Sequence, residues 1–126
     1  EKTPLVRSVE AQHVELVKLL LEARANPELG DDKGVGPLHM AVFDGMTDII
    51  DLLIKARADT EARDRHGQTP LFFAPDGSTC AQLCAANADV NALNFKGQSA
   101  LHLASHAGLN ETVKWLTEHQ KPSVLN

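Results

Sequence analysis

Six histidines (His13, His39, His66, His102, His106 and His119) and two cysteines (Cys80 and Cys84) are the side chains best suited to bind metal or move protons. A structural zinc site needs four donors, usually from paired Cys or His residues a few positions apart. Cys80 and Cys84 are four apart, and no Cys-x-x-Cys or His-x-x-x-His pair stands beside them to complete a set. On one helix that spacing runs the two thiols parallel, which suits a disulfide badly. Nucleophilic and phosphate chemistry lack their sequence supports as well. There is no Gly-x-Ser-x-Gly elbow, no glycine-rich phosphate loop opening a helix, and no His-Glu-x-x-His. The acids are scattered over turns and outer helix faces, without a pair set in an apolar pocket. The expectation is a chain that is not an enzyme and uses no cofactor and no metal.

Bulk composition narrows the partners. The 126 residues carry 12 basic and 17 acidic side chains, a formal charge of −5 that repels a phosphate backbone. Nucleic acid is therefore not an expected partner. Charge interrupts every apolar stretch long before the eighteen or so residues needed to span a bilayer, so no membrane insertion is expected. The chain opens Glu1-Lys2-Thr3-Pro4 without a Met or a hydrophobic signal core, so it reads as a fragment of something longer. Two cysteines make no secreted disulfide framework, which favours an intracellular setting, cytoplasmic or nuclear. The Asn110-Glu111-Thr112 triplet would open a helix and is read as a chance sequon.

The elements that position these residues follow from internal repetition. Asp31-Asp32-Lys33-Gly34-Val35-Gly36-Pro37-Leu38-His39 returns 33 residues later as Asp64-Arg65-His66-Gly67-Gln68-Thr69-Pro70-Leu71-Phe72. It returns again after 30 as Asn94-Phe95-Lys96-Gly97-Gln98-Ser99-Ala100-Leu101-His102, and Thr3-Pro4-Leu5 begins a copy part-way. The Asp-x-x-Gly block is a turn, with a short acid to satisfy backbone N–H groups and a glycine for positive φ. Pro37 and Pro70 suit a first helical position, where a missing N–H costs nothing. A short apolar helix follows, and then a second with Ile49, Ile50, Leu52, Leu53 and Ala56 at helical spacing. Neither helix is long enough to persist alone, so the copies must stack to bury their apolar faces.

This pattern resembles the ankyrin repeat, D-x-x-G-x-T-P-L-H-x-A-A-x-x-G-H-x-E-x-V-x-L-L-L-x-x-G-A-D-x-N, across about residues 2–121. The resemblance implies an all-α solenoid of stacked helix-turn-helix units with β-hairpin finger loops. The divisions are a partial repeat over 2–30, repeats over 31–63 and 64–93, a terminal repeat over 94–121 and a tail over 122–126. It implies that His39 and His102 tie neighbouring repeats together, a link lost where Phe72 replaces the histidine. It also implies a protein–protein interaction module, or alternatively a regulatory or tethering segment of a larger enzyme, transporter or signalling protein. Asn91, in Asp89-Val90-Asn91-Ala92, resembles ankyrin asparagines that intracellular hydroxylases modify.

Departures from the pattern carry their own expectations. Gly36 replaces the threonine whose hydroxyl caps the first helix. The third repeat is three residues short between its helices, where Ala74-Pro75-Asp76-Gly77 ends the first helix early and Thr79-x-x-Gln82 has capping-box spacing. Pro122 is expected to stop the last helix. In the implied architecture, finger tips and first-helix ends form one concave strip. It holds Asp32, Lys33, Val35, Arg65, His66, Gln68, Phe95, Lys96 and Gln98 from the fingers, and Phe43, Asp44, Asp76, His106 and Ala107 from the helix ends. Phe43 aligns with Glu10 and Asp76, and Phe95 with Asp32 and Arg65, so both rings stand where sister repeats are charged. Each is expected to anchor a protein partner or to fold back over a neighbouring repeat.

Overall fold

A computed structural model describes residues 3–28 and 30–119. Four antiparallel pairs follow one another along the chain. The helices are α1 (Pro4–Glu10), α2 (Val14–Glu22), α3 (Pro37–Phe43), α4 (Thr47–Lys55), α5 (Gly77–Ala85), α6 (Ala100–Ala107) and α7 (Asn110–His119). In the third pair a four-residue 3₁₀ turn, Pro70–Phe73, stands where a first helix would be. Among the described residues no strand forms, and the fingers contribute a single isolated bridge between Leu93 and Ser99. The architecture is all-α. The tail over 122–126 and the expected stop at Pro122 lie outside the described residues.

Local chemistry sets each start. Proline occupies the first turn of α1, α3 and the 3₁₀ turn. Thr3 caps α1 by accepting from the Val6 N–H, and Ser99 caps α6 by accepting from the His102 N–H. Gly36 supplies no such oxygen; instead its own N–H donates to His39 Nδ1 at 3.2 Å. Ala74, extended before Pro75, ends the 3₁₀ turn, so the early termination expected of the third repeat is realised. The cap of α5 differs from the expected one. Asp76 Oδ1 accepts from the Thr79 N–H at 2.8 Å, while Gln82 Nε2 reaches across to the Thr47 carbonyl in the preceding repeat. Trimming the inter-helix turn brought Asp76 to the helix start, which displaced the Thr79–Gln82 box.

Stacking buries one layer per repeat. First helices pack in series, α1 on α3 on the 3₁₀ turn on α6, and second helices run α2, α4, α5, α7. Leu5, Val9, Leu38, Val42, Ile50, Leu53, Leu71, Leu83 and Leu116 are buried, each contributing about 1.5–3 kcal/mol relative to exposure. Polar straps join the layers: Glu28 accepts from the Asp59 N–H at 2.6 Å, Glu61 from the Asp89 N–H at 3.2 Å, and Thr112 Oγ1 donates to the Ala74 carbonyl at 2.9 Å. At one end of the stack the pattern is incomplete. Leu16 is 43% exposed, whereas its counterpart Ile49, one repeat later, is 1% exposed beneath neighbouring helices.

Candidate functional site

The fingers are built by one repeated clamp. Asp31 Oδ1 accepts from the N–H groups of Lys33 and Val35, Asp64 Oδ1 from His66 and Gln68, and Asn94 Oδ1 from Lys96 and Gln98. Each loop then closes through a glycine at φ of 75–77°, Gly34, Gly67 or Gly97. Successive fingers are joined edge to edge, with the Arg65 N–H on the Lys33 carbonyl at 2.9 Å and the Phe95 N–H on the His66 carbonyl at 3.0 Å.

His39 anchors the second repeat to the third. It is buried, its Nδ1 accepts from Gly36 and its Nε2 faces the Gln68 carbonyl at 2.9 Å, so the proton belongs on Nε2. The histidine is thus committed to structure. His102 departs from this role: it is exposed, and its recorded bonds are to Ser99 within its own repeat. The link expected to be lost at Phe72 is replaced from elsewhere. Arg63 donates to both the Gly67 and Leu93 carbonyls at 2.7 Å, and Asn94 Nδ2 donates to the Gln68 side chain at 3.2 Å.

Two grooves open on the side of the fingers and first helices. The first, of about 470 Å³, gathers Val35, Phe43 and Asp44 with Glu10, His39, Met40 and Phe73. Phe73 stands nearly perpendicular to both Phe43 (centroids 6.4 Å apart, 71°) and His39 (5.7 Å, 74°). Phe43 remains 66% exposed. The second groove, about 460 Å³, gathers Arg65, His66, Gln68, Phe95, Lys96 and Gln98 with Asn94 and Leu103. Phe95 is 73% exposed, yet its ring lies against the Gly67 Cα: a Cβ there would fall 2.6 Å from its Cδ1. The ring is both seated on a neighbouring repeat and open to solvent.

The other strip candidates lie outside these grooves. Asp32 and Lys33 are exposed on the second repeat's finger, His106 and Ala107 are exposed at the end of α6, and Asp76 is engaged in capping α5. Asn91 is exposed, its N–H held by Asp89 Oδ1. Sequence spacing did not mark Glu10, Met40, Phe73, Asn94 or Leu103 as groove residues. Phe73 aligns with Met40 one repeat earlier, and the tight 3₁₀ turn places it beside Phe43.

The reactive groups are quiet. Cys80 and Cys84 both remain thiols, and burial, with smaller contributions from Cys84 and Asp76, pushes the Cys80 thiol up to about 12. A thiol so raised is a poor nucleophile. His102 and His106 are four apart on α6, but among the described residues no three His, Cys, Asp or Glu side chains converge as metal ligands would.

Stacked helix pairs, clamped fingers and a histidine tying one repeat to the next match what comparison with known families returns: a family model described as ankyrin repeats in three copies covers residues 1–64 and 38–126. The chain belongs to the ankyrin-repeat family. No curated protein matches it closely enough to add a named relative. Ankyrin repeats are generally non-catalytic protein–protein interaction modules. Among the described residues no helix is long and apolar enough to cross a membrane.

Proposed function

We propose that this ankyrin stack binds another protein through its fingers and first-helix ends, the concave strip of the family's architecture. The observation that carries the reading is that Phe43 and Phe95, the two most exposed large hydrophobic side chains among the described residues, both line grooves on that side. An exposed ring flanked by charged side chains is the kind of group that becomes a binding anchor. The clamped finger holds Phe95 and the end of α3 holds Phe43 in place before contact, so little conformational entropy is lost on association. The setting is intracellular, cytoplasmic or nuclear, in keeping with two thiols left unbridged. The partner is another protein or another domain of the same chain, not nucleic acid. The test is amide exchange of the stack with and without its captured partner. Protection should gather on residues 31–44 and 64–68 and around Phe95; protection confined to α2, α4, α5 and α7 would overturn the reading.

A second reading, a tethering or regulatory segment of a larger protein, rests on the open end of the stack. Leu16 and Leu19 are 43% and 59% exposed, where the same positions in the next repeat, Ile49 and Leu52, are buried or half-buried. An adjoining part of the same protein would cover that face. Asn91 is accessible for hydroxylation, and mass spectrometry of native protein showing only unmodified Asn91 would remove that role.

A further inference from the structure

The groove beside Phe43 has a chemical preference of its own. Its two phenylalanine rings, Phe43 and Phe73, meet edge to face at 71°, and Phe43 leaves most of its surface open. The exposed carboxylate of Asp44, the residue after α3, lines the same groove. Aromatic rings and a carboxylate both favour positive charge. The other groove on the strip is different: Arg65 and Lys96 line it, and among the described residues no acid does. The two ends of the strip therefore differ in sign.

We infer that the Phe43–Phe73 groove receives a lysine or arginine side chain from the bound protein segment, with its stem along the rings and its cationic head at Asp44. This inference rests on the strip being the binding surface, and adds the chemistry of the group it reads and the direction in which the segment lies. A basic residue of the partner occupies the groove between the second and third repeats, and the adjoining chain runs toward Phe95 and Lys96.

Four peptides separate the possibilities, each acetyl-Gly-Ser-Leu-X-Leu-Ser-Gly-amide with X as lysine, arginine, norleucine or glutamate. They are titrated to millimolar levels into the isotope-labelled chain and followed by NMR. Lysine and arginine peptides should shift the resonances of Phe43, Phe73 and Asp44, with norleucine and glutamate about tenfold weaker. Phe43→Ala and Asp44→Asn should each weaken the lysine peptide about three- to tenfold, with amide spectra still dispersed because both side chains are exposed. Added salt should erase the Asp44 effect first. Norleucine binding as tightly as lysine overturns the inference, as do shifts confined to the Phe95 groove or absent altogether. The exchange footprint of the native partner would still judge the interaction surface independently in each of those cases.

Discussion

Whether Phe95 is held in place or merely exposed decides how far it can act as a preformed anchor, and glycine substitutions can measure it. Gly67 and Gly97 occupy the same finger position with φ of +77° and +75°. An alanine at either must adopt the left-handed region, at a cost of about 1–2 kcal/mol. At Gly97 nothing lies within 4 Å of the new Cβ, so that backbone cost is the whole effect. At Gly67 the Cβ would meet three atoms of the Phe95 ring at 2.6–2.8 Å, and the ring must leave its seat. Phe95 is about a quarter buried by exposure, so giving up that contact adds about 0.5 kcal/mol. Urea unfolding followed by circular dichroism should therefore rank Gly67→Ala below Gly97→Ala. In a Phe95→Ala background the excess should vanish. The α-protons of Gly67 should also be shifted upfield by the ring, and those of Gly97 should not. Equal costs for the two alanines, together with an unshifted Gly67, would refute the seating of Phe95.

Three further outcomes are expected. Gly36→Ser should raise stability by about 1 kcal/mol in urea titrations, since its backbone is already extended (φ −90°, ψ 175°), a Cβ meets nothing closer than 3.7 Å, and the hydroxyl restores the cap seen at Ser99. Burial raises the Glu61 carboxyl above its ordinary 4.5, opposed by the Asp89 N–H and aided by the Asp89 and Asp59 charges. The folded state thus keeps that proton longer than the unfolded chain, and stability falls as pH rises from about 4.5 through the raised value. Subtracting the Glu61→Gln stability curve from that of the parent should isolate this fall, and a difference that rises with pH would contradict it. Amide exchange should be faster over residues 72–80 than over α4, because the 3₁₀ turn is held by short-range bonds such as Phe72 N–H to Thr69 and Ala74 N–H to Leu71; equal protection would count against it.

What the sequence made legible is what local chemistry repeats. Asp31, Asp64 and Asn94, three residues before a glycine, announced the finger clamps, and the prolines announced the helix starts. The family resemblance marked both His39 and His102 as inter-repeat ties; His39 has the next finger's Gln68 carbonyl to meet, whereas His102 has no following finger among the described residues. The features that escaped depend on the shortened third repeat. The loss of three residues turned a helix into a 3₁₀ turn, moved Asp76 from a surface position to a cap and brought Phe73 against Phe43. Arg63 could not be foreseen as a bridge, since its two carbonyl partners become neighbours only once the fingers stack. Phe95 shows the same limit: its polar sister positions marked it as exceptional, but its seat on Gly67 is a contact between fingers 28 residues apart.

The most direct test is to measure binding and stability of Phe43→Ala side by side, by calorimetric titration of the captured partner and by thermal melting. Phe43 is one-third buried and meets the Phe73 ring edge to face, so truncation should cost about 1 kcal/mol of stability and lower the melting temperature by only about 3–6 °C. Affinity should fall by about 1–3 kcal/mol, as for a buried anchor of an interface. A sharply lowered melting temperature with affinity intact would make Phe43 a packing residue and contradict the assignment of the binding surface to this side of the stack.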